Sequence, residues 1–165
     1  MAEKKSVEQE QYGNINLEVT RKKKFRINGD PSTILELNTS DMNIVTRLKT
    51  ILPRLQELQS EAQAKIDSVA ISPETEDLTG IADFADVLCQ IDSEMRALID
   101  ELFDANVSAV CAPSGSMYDP FNGEFRYEHI IEVIGNLYAE NITSEFKKME
   151  QRVNSKTAKY TKKKR

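Results

Sequence analysis

The sequence predicts an α+β protein: a small N-terminal antiparallel β-meander over residues 14–38, packed on a bundle of three main α-helices. Three observations carry that prediction. Apolar residues alternate with polar ones between Ile15 and Leu37, with strong turn chemistry between the segments. Two later stretches place apolar residues in steps of three and four, the spacing of one helix face. Composition agrees with both. Of 165 residues 39% are apolar, 30% are charged and none is Trp, which suits striped helices better than a thick aromatic core.

Residues 1–13 are polar and charged and are expected to be disordered. Ile15, Leu17 and Val19 alternate with Asn16, Glu18 and Thr20 as a half-buried strand would. Phe25 and Ile27 continue the alternation in a second strand, after the basic turn of Thr20 to Lys24. Asn28, Gly29, Asp30 and Pro31 form a turn, since Asn and Gly tolerate positive φ and Pro fixes its own. Thr33 to Leu37 makes a third strand with Leu35 and Leu37 on one face. So small a sheet needs cover for its apolar face, and the adjacent helix is placed to give it.

The first helix is expected over residues 39–66. Ser40 is placed to accept from the free N–H groups of its first turn, and Asp41 sits where the helix dipole favours an anion. Ile44, Leu48, Ile51, Leu55, Leu58 and Ala62 form its seam. Pro53 costs roughly 3 kcal/mol inside a helix. The seam keeps phase across it, so a kink is expected rather than a stop. Residues 68–80 connect to a second helix, 81–105, in which Asp77 or Thr79 would cap the start and Ile81, Phe84, Leu88, Ile91, Met95, Leu98 and Leu102 mark the seam. Residues 106–124 hold Pro113, Gly115, Pro120 and Gly123, which exclude a continuous helix. Their apolar residues suit either a packed loop or a site that orders on binding. A third helix is expected over 126–153, with Ile130, Ile134, Leu137 or Tyr138, Ile142, Phe146, Met149 and Val153 on its apolar side. A basic flexible tail, 154–165, closes the chain.

Little in the chain suggests catalysis. His129 stands alone in the composition and reads as a surface or boundary residue. Cys89 and Cys111 make neither a disulfide framework nor a metal cluster, and no phosphate-binding glycine loop is present. Asp119 to Glu124 lacks the alternating acids of a calcium loop. The expectation is therefore a non-enzymatic protein without metal or cofactor. The N-terminal residues lack the apolar core of a secretory signal, and no run is long enough to span a bilayer, so a cytoplasmic setting is expected.

Charge is uneven beneath the net value of −5. Residues 67–104 hold eleven acids against the single base Arg96, and residues 147–165 hold nine bases against Glu150. The split fits either an acidic face meeting a basic segment or two different partners. The acids of 83–104 mostly alternate with the seam and read as a solvated helix face. The overall negative charge disfavours nucleic acid, although Lys162, Lys163, Lys164 and Arg165 are able to attract phosphate.

Phe25 to Asp30 (F-R-I-x-G-D), Glu36 to Asp41 (E-L-N-x-S-D) and Arg47 to Pro53 (R-L-x-x-x-x-P) form a set of motifs. Lys148, Arg152 and Val153 (K-x-x-x-R-V), followed by Lys159 to Lys163 (K-Y-T-K-K), form another. Together they resemble small proteins encoded in the tail-gene modules of long-tailed phages and prophages of Gram-positive bacteria. The likeness runs from about residue 24 and is weak over 106–124. It implies a tail assembly chaperone that binds the long tape-measure protein in the host bacterial cytoplasm, with tail-tube subunits and self-association as further partners. The alternative is a structural tail adaptor retained in the particle. A third, a small regulator binding nucleic acid through its basic end, rests on the tail alone. The candidate partner-binding residues are Leu48, Leu55, Leu58, Leu88, Met95, Leu98, Phe121, Lys162, Lys163 and Lys164. Taken singly, Leu48, Leu55, Leu88 and Leu98 read as core ahead of contact surface, and the sequence leaves open which seam is core and which is contact surface.

Overall fold

The computed structural model describes residues 13–17, 19, 22–70 and 78–162. Over these the fold is α+β and mostly helical, with two short antiparallel strand pairs. The elements are β1 (Lys23–Arg26), β2 (Ile34–Leu37), α1 (Ile44–Ala70), α2 (Leu78–Phe103), α3 (Val107–Cys111), β3 (Pro120–Phe121), β4 (Glu124–Phe125) and α4 (Arg126–Lys162).

The expected three-stranded meander is a hairpin of two. In β1–β2, Phe25 lies opposite Leu35 and Lys23 opposite Leu37. Leu35 and Leu37 face the core. Asn28 and Gly29 adopt the positive φ that the turn needs. Asp30 locks the turn by accepting from the N–H of Ser32 at 2.8 Å and the hydroxyl of Thr33 at 2.7 Å. These bonds hold its carboxyl below the ordinary range. Ile15, Leu17 and Val19, the apolar positions of the expected first strand, are exposed and in no strand. Its polar positions Glu18 and Thr20 lie outside the described residues, as do residues 1–12. Alternation satisfies only the local requirement for a strand and supplies no partner; among the described residues the sheet stays two-stranded, β1 paired with β2.

The first helix starts later than expected. Ser40 is engaged elsewhere, because the Asn141 side-chain amide donates to its hydroxyl and to the carbonyl of Thr39, each at 3.1 Å. Asp41 serves the start instead, accepting from the N–H of Asn43 at 2.9 Å. The helix runs through Pro53 without stopping. Its C-terminal turns continue to Ala70, past the expected end at 66; residues 71–77 of the connection, with the capping candidate Asp77, lie outside the described residues, and Thr79 falls within α2.

α1 and α2 run antiparallel. Arg47, early in α1, donates to the carbonyl of Leu102 at 2.8 Å, whereas Arg54 pairs with Glu94. α2 ends where Asp104 turns to positive φ and the N–H of Ala105 reaches back to the carbonyl of Asp100. Residues 106–124 form a packed connection, with Val107 and Met117 fully buried. Within it Asn122 and Gly123, both at positive φ, join β3 to β4 in a two-residue turn. α4 begins with a one-sided cap, in which Glu128 accepts from the N–H of Phe125 at 2.9 Å. It continues to Lys162, so residues 154–162 of the expected flexible tail are helical; 163–165 lie outside the described residues.

Candidate partner-binding surface

The core is one cluster that joins Leu35 and Leu37 to the inner faces of α1, α2 and α4. It decides the fate of most seam residues. Leu55, Leu58 and Met95 are 0–1% exposed and are core, not contact surface. Leu48, Leu88 and Leu98 are half-buried and pack against the same cluster. The correction has a simple cause: the seams of α1 and α2 face each other, and each buries the other. Phe121 remains 43% exposed, its ring 4.9 Å from that of His129. Lys162 is the last described residue of α4, and Lys163 and Lys164 lie outside the described residues.

A different apolar surface is open. Along α4 the stripe of Tyr127, Ile130, Ile134 and Tyr138 is buried in the body. The same stripe continues through Ile142, Phe146, Met149 and Val153, in steps of four, four, three and four from Tyr138. The last three are 53–61% exposed. Met42, 51% exposed, stands beside its beginning and closes a shallow apolar groove with Ile142, Phe146 and Met149. Phe146, Met149 and Val153, three large side chains in register on an uncovered helix, are unusual for a surface. The sequence held the signal in plain form: the α4 seam is longer than the two-helix layer able to cover it.

Polar residues of the body serve its construction. Asp100 accepts from both the N–H and the hydroxyl of Ser108, at 2.7 and 2.9 Å, and Asp92 accepts from the N–H of Met117 at 2.6 Å. These two acids therefore leave the solvated face expected for them and hold the connection in place. Burial and the nearby Asp100 charge push the Cys111 thiol up, away from the thiolate that nucleophilic chemistry uses. His129 is half-exposed, with Nδ1 2.7 Å from Glu124. Glu124, His129 and Glu132 bring ligand atoms within 4.8 Å of one another near the start of α4.

In comparisons with known proteins, no family model, no curated protein and no solved structure matches this chain. Among the described residues no helix is long and apolar enough to cross a membrane.

Proposed function

We propose that this protein is a non-enzymatic tail assembly chaperone of a long-tailed phage or prophage. It acts in the host cytoplasm and holds the tape-measure protein while tail-tube subunits assemble. The observation that carries this reading is the uncovered seam of Phe146, Met149 and Val153, running on from the half-buried Ile142, on a helix that outruns its own fold. A long, apolar, helical client offers a matching stripe, and helix-in-groove docking uses anchors at this spacing. Arg152 and Lys156 border the seam, as do Glu145 and Glu150, and the bases of residues 142–162 outnumber the acids, which favours acidic client segments and keeps the free helix soluble. The motifs of residues 25–53 and 148–163 add the resemblance to tail-module proteins.

The test is co-expression with the tape-measure protein of the same genome. A soluble complex is expected with the native chain, and an insoluble client with the variant Phe146→Glu/Met149→Glu. A client that stays insoluble beside the native chain sinks the proposal. Mass spectrometry of purified particles separates an assembly factor, which is absent from them, from an adaptor, which is retained.

A further inference from the structure

Glu124, His129 and Glu132 meet where the β3–β4 hairpin joins the start of α4, and they bring ligand atoms within 4.8 Å of one another. Glu124 comes from β4, whereas His129 and Glu132 belong to α4. A separation of three places those two on one helix face. Asn122 and Gly123, both at positive φ, turn the chain so that Phe121 lies opposite Glu124. Phe121 also sets its ring against the His129 imidazole, with 4.9 Å between centroids. All three side chains are at least partly exposed, so an ion reaches them from solvent.

The polar groups around these three are committed elsewhere. Glu128 accepts from the N–H of Phe125. Arg126 donates to the carbonyl of Ser114 and pairs with Asp119. Glu124 is paired with His129 at 2.7 Å. Glu132 takes part in no hydrogen bond or ion pair among the described residues. Two carboxylates therefore share a small space with one imidazole, and among the described residues no lysine or arginine pairs with either. Like charges this close repel, and a cation between them removes that cost.

We propose that Glu124, His129 and Glu132 form a binding site for a divalent first-row transition ion, zinc above all. One imidazole nitrogen and two carboxylates make a mixed donor set that suits zinc and its neighbours, whereas calcium takes about six to eight oxygens. Bonds of about 2.0–2.2 Å set tetrahedral ligands about 3.4 Å apart. The set therefore contracts slightly on binding, and the unpaired, exposed Glu132 supplies the movement for the loss of its rotamer freedom. A carboxylate only accepts, so the proton between Glu124 and His129 sits on Nδ1. On ligation Nδ1 takes the ion and the neutral imidazole keeps its proton on Nε2. Water fills the fourth position. The β3–β4 hairpin has two residue pairs, too few to stand alone, and the ion ties it to α4. The expectation of no metal rested on one histidine and no cysteine cluster; the fold adds two carboxylates to that histidine. The site lies at the opposite end of α4 from the open seam, and its test needs no client.

Isothermal titration of the tag-free full chain, stripped with EDTA, with ZnCl2 provides the test. Binding of one ion per chain in the micromolar range is expected, with no heat from CaCl2. Co2+ in place of zinc should show the visible absorption of a four-coordinate ion. The imidazole proton resonances of His129, the one histidine of the chain, should shift on zinc addition. His129→Ala and Glu132→Gln are each expected to weaken zinc binding by more than about 10-fold, since even an outer partner of a ligand is worth that much. Unchanged helical circular dichroism checks that both variants fold. Cys89→Ser removes an exposed thiol outside the site and is expected to bind as the native chain does. A native chain that binds zinc no tighter than about 1 mM overturns the proposal. So do His129 and Glu132 variants that bind like the native chain, which would put the ion elsewhere, or a preference for calcium.

Discussion

Arg96 and Asp92, one helical turn apart on α2, form a 2.7 Å ion pair that organises the whole 106–119 connection. Asp92 accepts from the N–H of Met117. Arg96 donates to the carbonyls of Ser108, Ala112 and Gly115 at 3.3, 2.8 and 2.5 Å. The single base in a run of acids is thus the tie between α2 and a segment without long elements of its own. Gly115 is required beside it: its φ is +75°, and a Cβ there would run into the Arg126 guanidinium.

Replacing Arg96 with Ala takes the donor from the carbonyls of Ala112 and Gly115 and the cation from the partly buried Asp92, while Ser108 keeps the N–H of Ala112 and Asp92 that of Met117. The expected loss is about 2–4 kcal/mol. Urea unfolding of Arg96→Ala checks it. Arg96→Lys should recover only part, because an ammonium cannot reproduce the guanidinium fork.

Asp41 sets the acid sensitivity of the start of α1. Burial pushes its carboxyl up, but hydrogen bonds and charge from Arg47 and the N–H of Asn43 outweigh burial and hold it below the ordinary 3.8. A depressed native pKa contributes stability that is complete above the unfolded value and is lost as pH falls through the native one. Asp41→Asn should therefore be less stable than the native chain at neutral pH and show a flatter decline in acid. An unchanged slope of Tm against pH below about 4 counts against this.

At high pH two buried phenols act in the opposite sense. Burial, with a smaller contribution from Glu128, pushes Tyr127 up from 10 to about 12. Burial is also the main cause for Tyr138, likewise raised to about 12. The folded state keeps these protons where the unfolded chain has lost them, so stability falls as pH rises from 10 towards 12. The expected loss is about 2–3 kcal/mol for each tyrosine. Tyr138→Phe should remove its share of the alkaline decline, measured by denaturant midpoints across that range.

Core and open seam should separate cleanly. Leu55→Ala removes a fully buried side chain and should cost about 2–5 kcal/mol. Phe146→Ala, at a position 53% exposed, should cost under about 1 kcal/mol. A large thermal destabilisation by Phe146→Ala would show that the stripe beyond Tyr138 is covered in the free molecule.

Much of the helical frame was legible in the sequence because its signals are local. The seam of Ile44 to Ala62 kept phase through Pro53, and α1 continues there. The turn at Asn28 and Gly29 was legible for the same reason, since positive φ is a property of the residue. Strand alternation at Ile15 to Val19 misled, because pairing depends on what else offers an edge. Ser40 misled because Asn141, about a hundred residues away, competes for its hydroxyl. The short helix and hairpin within 106–125 carried turn residues but no period long enough to read.

By itself, the sequence determined which stretches have an apolar face, where turns fall, and that acid and base sit in separate segments. Only the tertiary structure decided which faces are spent on one another. Periodicity records that a face is apolar and does not record what covers it. Leu55, Leu58 and Met95 vanish into the core because α1 and α2 have equal reach. Phe146, Met149 and Val153 remain open because α4 runs beyond them both.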